Sequence, residues 1–135
     1  MILVDSSVWI DFLGSSPGKA GTELRRLIST GEPVAIAGVI VAEVLQGLKR
    51  EPDRIESFLS EFNLLEPASF ETYRVAASIF RKARAKGVSS STIDTMIAAI
   101  ALEHSTPILT LDLDFSRLAR LTPIEVYYIN ANSIN

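Results

Sequence analysis

Four acidic residues in this chain interrupt apolar runs, where a charge is costly. Asp94 is the only charged residue between Lys86 and Glu103. Around it Ile93, Met96, Ile97, Ile100 and Ala101 recur at helical spacing and predict a core-facing surface. Glu43 is likewise the only charge between Glu32 and Lys49, inside AIAGVIVAEVLQGL. Asp5 ends the apolar run Ile2 to Val4, and Asp112, followed closely by Asp114, sits at the end of the run Pro107 to Leu111. A carboxylate taken out of water needs a partner, a cation or a shifted pKa, because uncompensated desolvation of a charge costs several kcal/mol.

Two of these acids lie at strand ends and two on helices. In an open parallel α/β sheet, ligands bind outside the carboxyl ends of the strands, so acids from distant parts of the chain can converge there. Converging carboxylates repel one another unless a hard, oxygen-loving cation sits among them. Such a cation would lower the pKa of a bound water and clamp a phosphate during an in-line displacement, with no nucleophilic side chain required.

The elements that must position these acids can be read in order. Strand Ile2 to Val4 leads through Asp5-Ser6-Ser7 into a helix carrying Trp9 and Phe12, both expected in the core, and ending near Gly14. A second helix is predicted over Thr22 to Ser29, with Leu24, Leu27 and Ile28 inward and Gly31 closing it. Strand Val34 to Ala37 precedes a helix that carries Glu43, and Pro52 begins another that runs to about Phe62. A brief strand at Leu64 and Leu65 follows, then a long helix from Ser69 to Lys86 with Tyr73, Ala76, Ala77 and Phe80 inward. After the Asp94 helix and the strand before Asp112 come a short helix near Ser116 to Leu121 and a last strand, Glu125 to Ile129. Strands alternating with helices predict an α/β protein, an α/β/α sandwich with a mainly parallel central sheet.

Composition narrows the function classes. The chain has 135 residues, the length of one domain, and is 47% hydrophobic and 21% charged, the profile of an ordinary globular protein. A formal net charge of −3 argues against holding nucleic acid through bulk charge, so any such contact must be local or metal-bridged. There is no cysteine, which excludes disulfides and thiolate metal sites, and the single histidine, His104, makes a histidine-rich zinc site or a Ser-His-Asp triad a poor fit. No basic segment precedes the first apolar run and no run approaches the roughly 20 residues of a membrane span, so the expectation is a cytoplasmic protein with no membrane contact.

Each acid also has a purely structural explanation. Asp5 could cap the helix that begins at Ser6, Asp114 the one after Phe115, and Ser91-x-x-Asp94 matches a capping box. Glu43 is harder to explain, being mid-helix with no cation three or four positions away, and its structural reading is a helix edge that reaches solvent. His104 fits a helix end, and the cluster Arg81, Lys82, Arg84 and Lys86 reads as a solvated helix terminus or as a phosphate-contacting patch.

In that order and spacing, ILVDSSVWIDFL, AEVLQGL, STIDTMIAAIAL and PILTLDLDF resemble the PIN-domain ribonucleases, most closely the VapC-type toxins of prokaryotic toxin–antitoxin pairs. The resemblance spans essentially the whole chain, as one PIN-like domain over residues 1–135. It implies an acidic metal site at Asp5, Glu43, Asp94 and Asp112, with Asp114 sharing or replacing the role of Asp112. It also implies Mg²⁺ or Mn²⁺ as cofactor, RNA as substrate, a homodimer, and an antitoxin lying over the active-site groove. Ser6 and Thr110 fall where hydroxyls support the acids without touching the metal.

Two rivals fare worse. A phospho-aspartate receiver would want an acidic pair after the first strand and a lysine at the end of the last, where this chain has Ser6 and Asn130. A phosphatase built on the DLDF segment would have little chain left for the rest of its site. The alternative from another class is a catalytically silent PIN-like RNA- or protein-binding module, which would have lost one or more of the four acids; all four are present.

Overall fold

The computed structural model describes residues 1–129. In chain order the elements are β1 (Ile2–Val4), α1 (Ser6–Leu13), α2 (Lys19–Ser29), β2 (Val34–Ala37), α3 (Gly38–Gln46), α4 (Pro52–Leu59), β3 (Asn63–Leu65), α5 (Phe70–Ala85), α6 (Thr92–Glu103), β4 (Ile108–Leu109) and α7 (Leu113–Ala119). The four strands form one sheet in the order β3-β2-β1-β4, and every pairing is parallel. This is the mixed α/β architecture with a parallel sheet that the alternating pattern predicts.

β1 lies between β2 and β4, and all three of its residues are buried. From β1 the chain builds outward on one side through β2 and β3, then returns to place β4 on the other side. The boundary between β1 and β4 is therefore the topological switch point, where a crevice opens beyond the strand ends. Two contacts hold that edge. Asp5 N donates to Leu109 O at 2.9 Å, and the indole Nε1 of the fully buried Trp9 donates to Val4 O at 3.1 Å. Trp9 packs edge-on against Phe12, Phe58 and Phe62, so α1 and α4 are clamped around the end of β1.

Several boundaries differ from the sequence-based expectation, each for a tertiary reason. α2 starts at Lys19 rather than Thr22 because the carboxylate of Asp11, on α1, accepts from Gly18 N at 3.1 Å and Gly21 N at 2.7 Å. A Cβ on Gly21 would lie 2.9 Å from Phe12 N, so glycine is what lets the two helices approach this closely. α4 ends at Leu59, and turn hydrogen bonds carry the chain on to Phe62. α7 starts at Leu113, not near Ser116, because Asp112 caps it. The strand expected over Pro107 to Leu111 shrinks to Ile108–Leu109, and Leu111 is exposed. The expected final strand is reduced to one parallel bridge between Ile108 and Val126.

The inward face of α5 is the expected one only at Ala76. Thr72, Ala76, Ile79 and Ala83 are buried, whereas Tyr73 is 53% exposed, Ala77 is exposed and Phe80 is half-buried. Small residues let α5 pack closely on α6, and Thr72 Oγ1 donates across the seam to Glu103 Oε1 at 2.9 Å. In α6, Ile97, Ile100 and Ala101 are buried as expected, but Ile93 is largely exposed and Met96 half-buried.

Candidate active site

Asp5 follows β1 directly and is 5% exposed. It occupies the N-cap position of α1, yet its side chain makes no capping bond. Its Oδ2 instead accepts two hydroxyls, Ser7 Oγ at 2.9 Å and Thr110 Oγ1 at 2.9 Å. Both hydroxyls are themselves held. Leu111 N donates to Ser7 Oγ at 3.1 Å, and Asp112 N donates to Thr110 Oγ1 at 2.9 Å. A chain of hydrogen bonds thus joins the ends of β1 and β4, the two strands that flank the switch point.

On the β4 side, Asp112 caps α7 by accepting Asp114 N at 2.9 Å on Oδ1. The cap expected at Asp114 is therefore made by Asp112, and Asp114 lies in the first turn, where its Oδ1 accepts Arg117 Nη1 at 2.7 Å. On α6 the capping box is real: Ser91 Oγ accepts Asp94 N at 3.0 Å, and Asp94 Oδ2 accepts Ser91 N at 3.2 Å. The structural role does not remove these acids from a common site. Asp94, Asp112 and Asp114 each present a carboxylate oxygen, and those three oxygens lie within 4.8 Å of one another.

Two of the acids are electrostatically stressed. Burial pushes the Asp94 carboxyl above the ordinary aspartate range; its bonds with Ser91 oppose the shift, while the charges of Asp112 and Asp5 add to it. Glu43, half-buried on α3, is also raised, first by burial, with the Ser6 hydroxyl opposing and Asp5 and Asp94 reinforcing. These couplings bring Asp5, Glu43, Asp94 and Asp112 into one field, although they come from four separate elements. Like charges gathered in a partly desolvated place raise one another's pKa, and a bound cation would relieve this.

The three close oxygens fit such a cation. Hard divalent ions take carboxylate oxygens at about 2.0–2.6 Å, so oxygens this near to each other can share one. The donors are all oxygen, and His104 is the C-cap of α6, at the end opposite Asp94. Asp5 and Glu43, both expected in the metal site, lie outside the close trio, and Asp5 Oδ2 is engaged by two hydroxyls.

Of the two hydroxyls expected behind the acids, Thr110 bonds Asp5, while Ser6 acts on Glu43 only by opposing the rise in its pKa. Ser7, not anticipated, is the second hydroxyl on Asp5. Its sequence signal was slight: a serine two positions after a helix-opening acid, free to turn its hydroxyl back.

The PIN domain family model matches residues 2–121. The chain belongs to the PIN-domain family. Among curated relatives of this PIN domain, Ribonuclease VapC11 of Mycobacterium tuberculosis is 33% identical over 132 residues, covering 93% of this chain and 96% of the relative. Among solved structures, VapBC2 from Rickettsia felis, bound to a DNA fragment from its promoter, superposes with a TM-score of 0.74 at 17% identity, covering 94% of this chain and 98% of that one. Mycobacterium tuberculosis VapC20, described as a sarcin-ricin loop cleaving toxin, gives 0.67 at 18% identity, over 92% and 98% of the two chains. At those identities the structures speak to the fold, which this PIN domain shares.

Proposed function

We propose that this PIN domain is a metal-dependent endoribonuclease that cleaves RNA phosphodiester bonds, acting as the toxin of a toxin–antitoxin pair. One observation carries the reading: carboxylate oxygens of Asp94, Asp112 and Asp114 lie within 4.8 Å of one another beside the switch point of the sheet. The VapC ribonuclease relatives support the reaction class, and the VapBC neighbours support an antitoxin partner.

Asp94, Asp112 and Asp114, with Asp5 and Glu43 at the rim, are the residues that would hold Mg²⁺ or Mn²⁺. Bound there, the ion would supply an acidified water and neutralise charge building on the scissile phosphate. The protein's own part is positional. Ser7 and Thr110 lock Asp5, the Ser91 box orients Asp94, and Asp112 is fixed by the start of α7. Glu43, half-buried on α3 in the field of Asp5 and Asp94, would hold the ion or a water bound to it. Ser7 and Thr110 are committed to Asp5, so neither is a free nucleophile. A homodimer and a cytoplasmic location complete the proposal; no helix among the described residues is long and apolar enough to cross a membrane.

Sequencing RNA ends after brief expression, beside an Asp5→Asn control, tests the reading. New 5′ ends at defined positions with the wild type and none with the control are expected. Identical end profiles would leave the silent binding module as the better description.

A further inference from the structure

Among the described residues, Arg117 is the one cation in an ion pair with any of the five acids. Its Nη1 donates to Asp114 Oδ1 at 2.7 Å, and its side chain is 54% exposed against 30% for that of Asp114. The guanidinium therefore stands at the rim of the cluster, open to solvent. Asp114 is in turn one of the three acids whose oxygens lie within 4.8 Å of one another. A carboxylate has two oxygens, so Asp114 can serve an ion and Arg117 together. α7 fixes this placement, because Asp112 caps the helix that carries Asp114 and Arg117 as its second and fifth residues. Arg120, a neighbour three positions on, is also exposed and in no ion pair among the described residues, so the outer side of α7 turns basic as it leaves the acids.

We infer that Arg117 is a phosphate-holding residue that binds the RNA backbone one linkage along from the phosphate being cut. The inference rests on the endoribonuclease reading above. On α7 alone, an acid followed three positions later by a base is an ordinary surface pair that contributes little. The surroundings of this pair give it more to do. Five carboxylates carry more negative charge than one divalent ion neutralises, and every RNA linkage brings another. A strand lying against this edge needs further positive charge, and Arg117 is where the fold supplies it. The guanidinium stays charged at any working pH and presents a planar fork of N–H groups that matches phosphate oxygens, of which the bond to Asp114 engages Nη1. Arg117 meets the close trio through Asp114 alone, so the phosphate within its reach is a neighbour of the one at the ion. Such a contact sets the register of the strand and carries no base preference.

The test uses the full chain with Mg²⁺ and total bacterial RNA, measuring cleavage rate at limiting and at saturating RNA over a salt series and mapping the new 5′ ends. Mn²⁺ affinity is measured separately, without RNA, from the EPR signal of the free ion. Arg117→Ala should lower the limiting rate about tenfold, the loss expected for one charge-assisted phosphate contact, and largely recover at saturation with the same cleavage positions. The slope of log rate against log salt should fall by about 0.7, the value for one phosphate of a single strand. Arg117→Lys keeps the charge, so it should keep the slope and lose less rate. Mn²⁺ affinity should be no weaker in Arg117→Ala than in the wild type, and in an Asp114→Asn background Arg117→Ala should again cost about tenfold. An arginine that only steadies Asp114 would weaken Mn²⁺ binding when removed and would be silent in the Asp114→Asn background; either result overturns the inference. Wild-type cleavage with Arg117→Ala equally active would overturn it as well and leave the endoribonuclease reading standing. Failure of the wild type to cut RNA under any metal would remove both readings together.

Discussion

Thr110 Oγ1 donates to Asp5 Oδ2 at 2.9 Å, and the same oxygen accepts Asp112 N at 2.9 Å. One hydroxyl therefore sets two of the acids relative to each other across the β1–β4 boundary. Thr110→Val keeps the shape but removes both bonds, leaving Ser7 alone on Asp5. Groups that orient metal-binding side chains typically matter 10- to 100-fold, so cleavage should fall about that much. The melting temperature should drop only modestly, consistent with about 1 kcal/mol for a lost hydrogen bond. Undiminished activity in Thr110→Val would mean that Asp5 is not held for catalysis.

The acids themselves should separate by role. Asp5→Asn, Glu43→Gln and Asp94→Asn are each expected to abolish RNA cleavage while leaving a folded protein, since size is nearly unchanged and Asn can still accept the amide of Ser91. Asp112→Asn keeps a cap for α7 and should nevertheless be severe. Asp114→Asn should be milder, because Arg117 already engages one of its oxygens. Circular dichroism and a cleavage assay on each variant check this. Equal, mild losses at 112 and 114 would show the fourth acid to be misplaced.

Metal removal gives a third outcome. Cleavage should require added Mg²⁺ or Mn²⁺ and stop in chelator, while His104→Ala, at the far end of α6, should leave it unchanged. Activity in chelator that is lost with His104 would point to general acid–base chemistry in place of the metal.

What the sequence revealed divides along physical lines. Asp5, Glu43, Asp94 and Asp112 could be picked out as candidates because a charge inside or at the end of an apolar run stands out locally, whereas the place of Asp114 beside Asp94 and Asp112 depends on the turn into α7. β1 and β2 were legible for the same reason, as short buried runs with clear ends. Ser7 was not, because its role depends on Thr110, 103 positions away, and on Asp5 turning from the cap it nominally occupies. The start of α2 was hidden because its cap, Asp11, comes from another helix. α5 was rotated in expectation because its aromatic residues suggested the core, whereas the seam with α6 is made by Thr72, Ala76, Ile79 and Ala83.

In stability, the capping role of Asp94 and its membership of the acid cluster pull in opposite directions. Its capping box is formed, but its pKa lies above the ordinary aspartate value, chiefly through burial and then through Asp112 and Asp5. The charged form is thus disfavoured in the fold even after the Ser91 bonds are counted. A carboxylate with a raised folded pKa binds more protons folded than unfolded. Its stabilising contribution is complete below the unfolded value and is lost as pH rises through the folded one. Glu43 follows the same sign. Asp94→Asn removes the titration, removes repulsion from Asp5 and Asp112, and retains an acceptor for Ser91. In chelator, the melting temperature of Asp94→Asn minus that of wild type should therefore increase as pH is raised from below the ordinary carboxylate range to neutrality, ending at or above zero. A Mn²⁺ ion held by the assembled acids and hardly at all by the unfolded chain should raise the wild-type melting temperature by mass action, and that increment should largely vanish in the variant. Were Asp94 only a cap, the variant would be less stable at neutral pH by up to ~1 kcal/mol, with or without Mn²⁺. Paired melts across pH, with and without Mn²⁺, separate the two, and a metal-independent destabilisation would return Asp94 to the helix end alone.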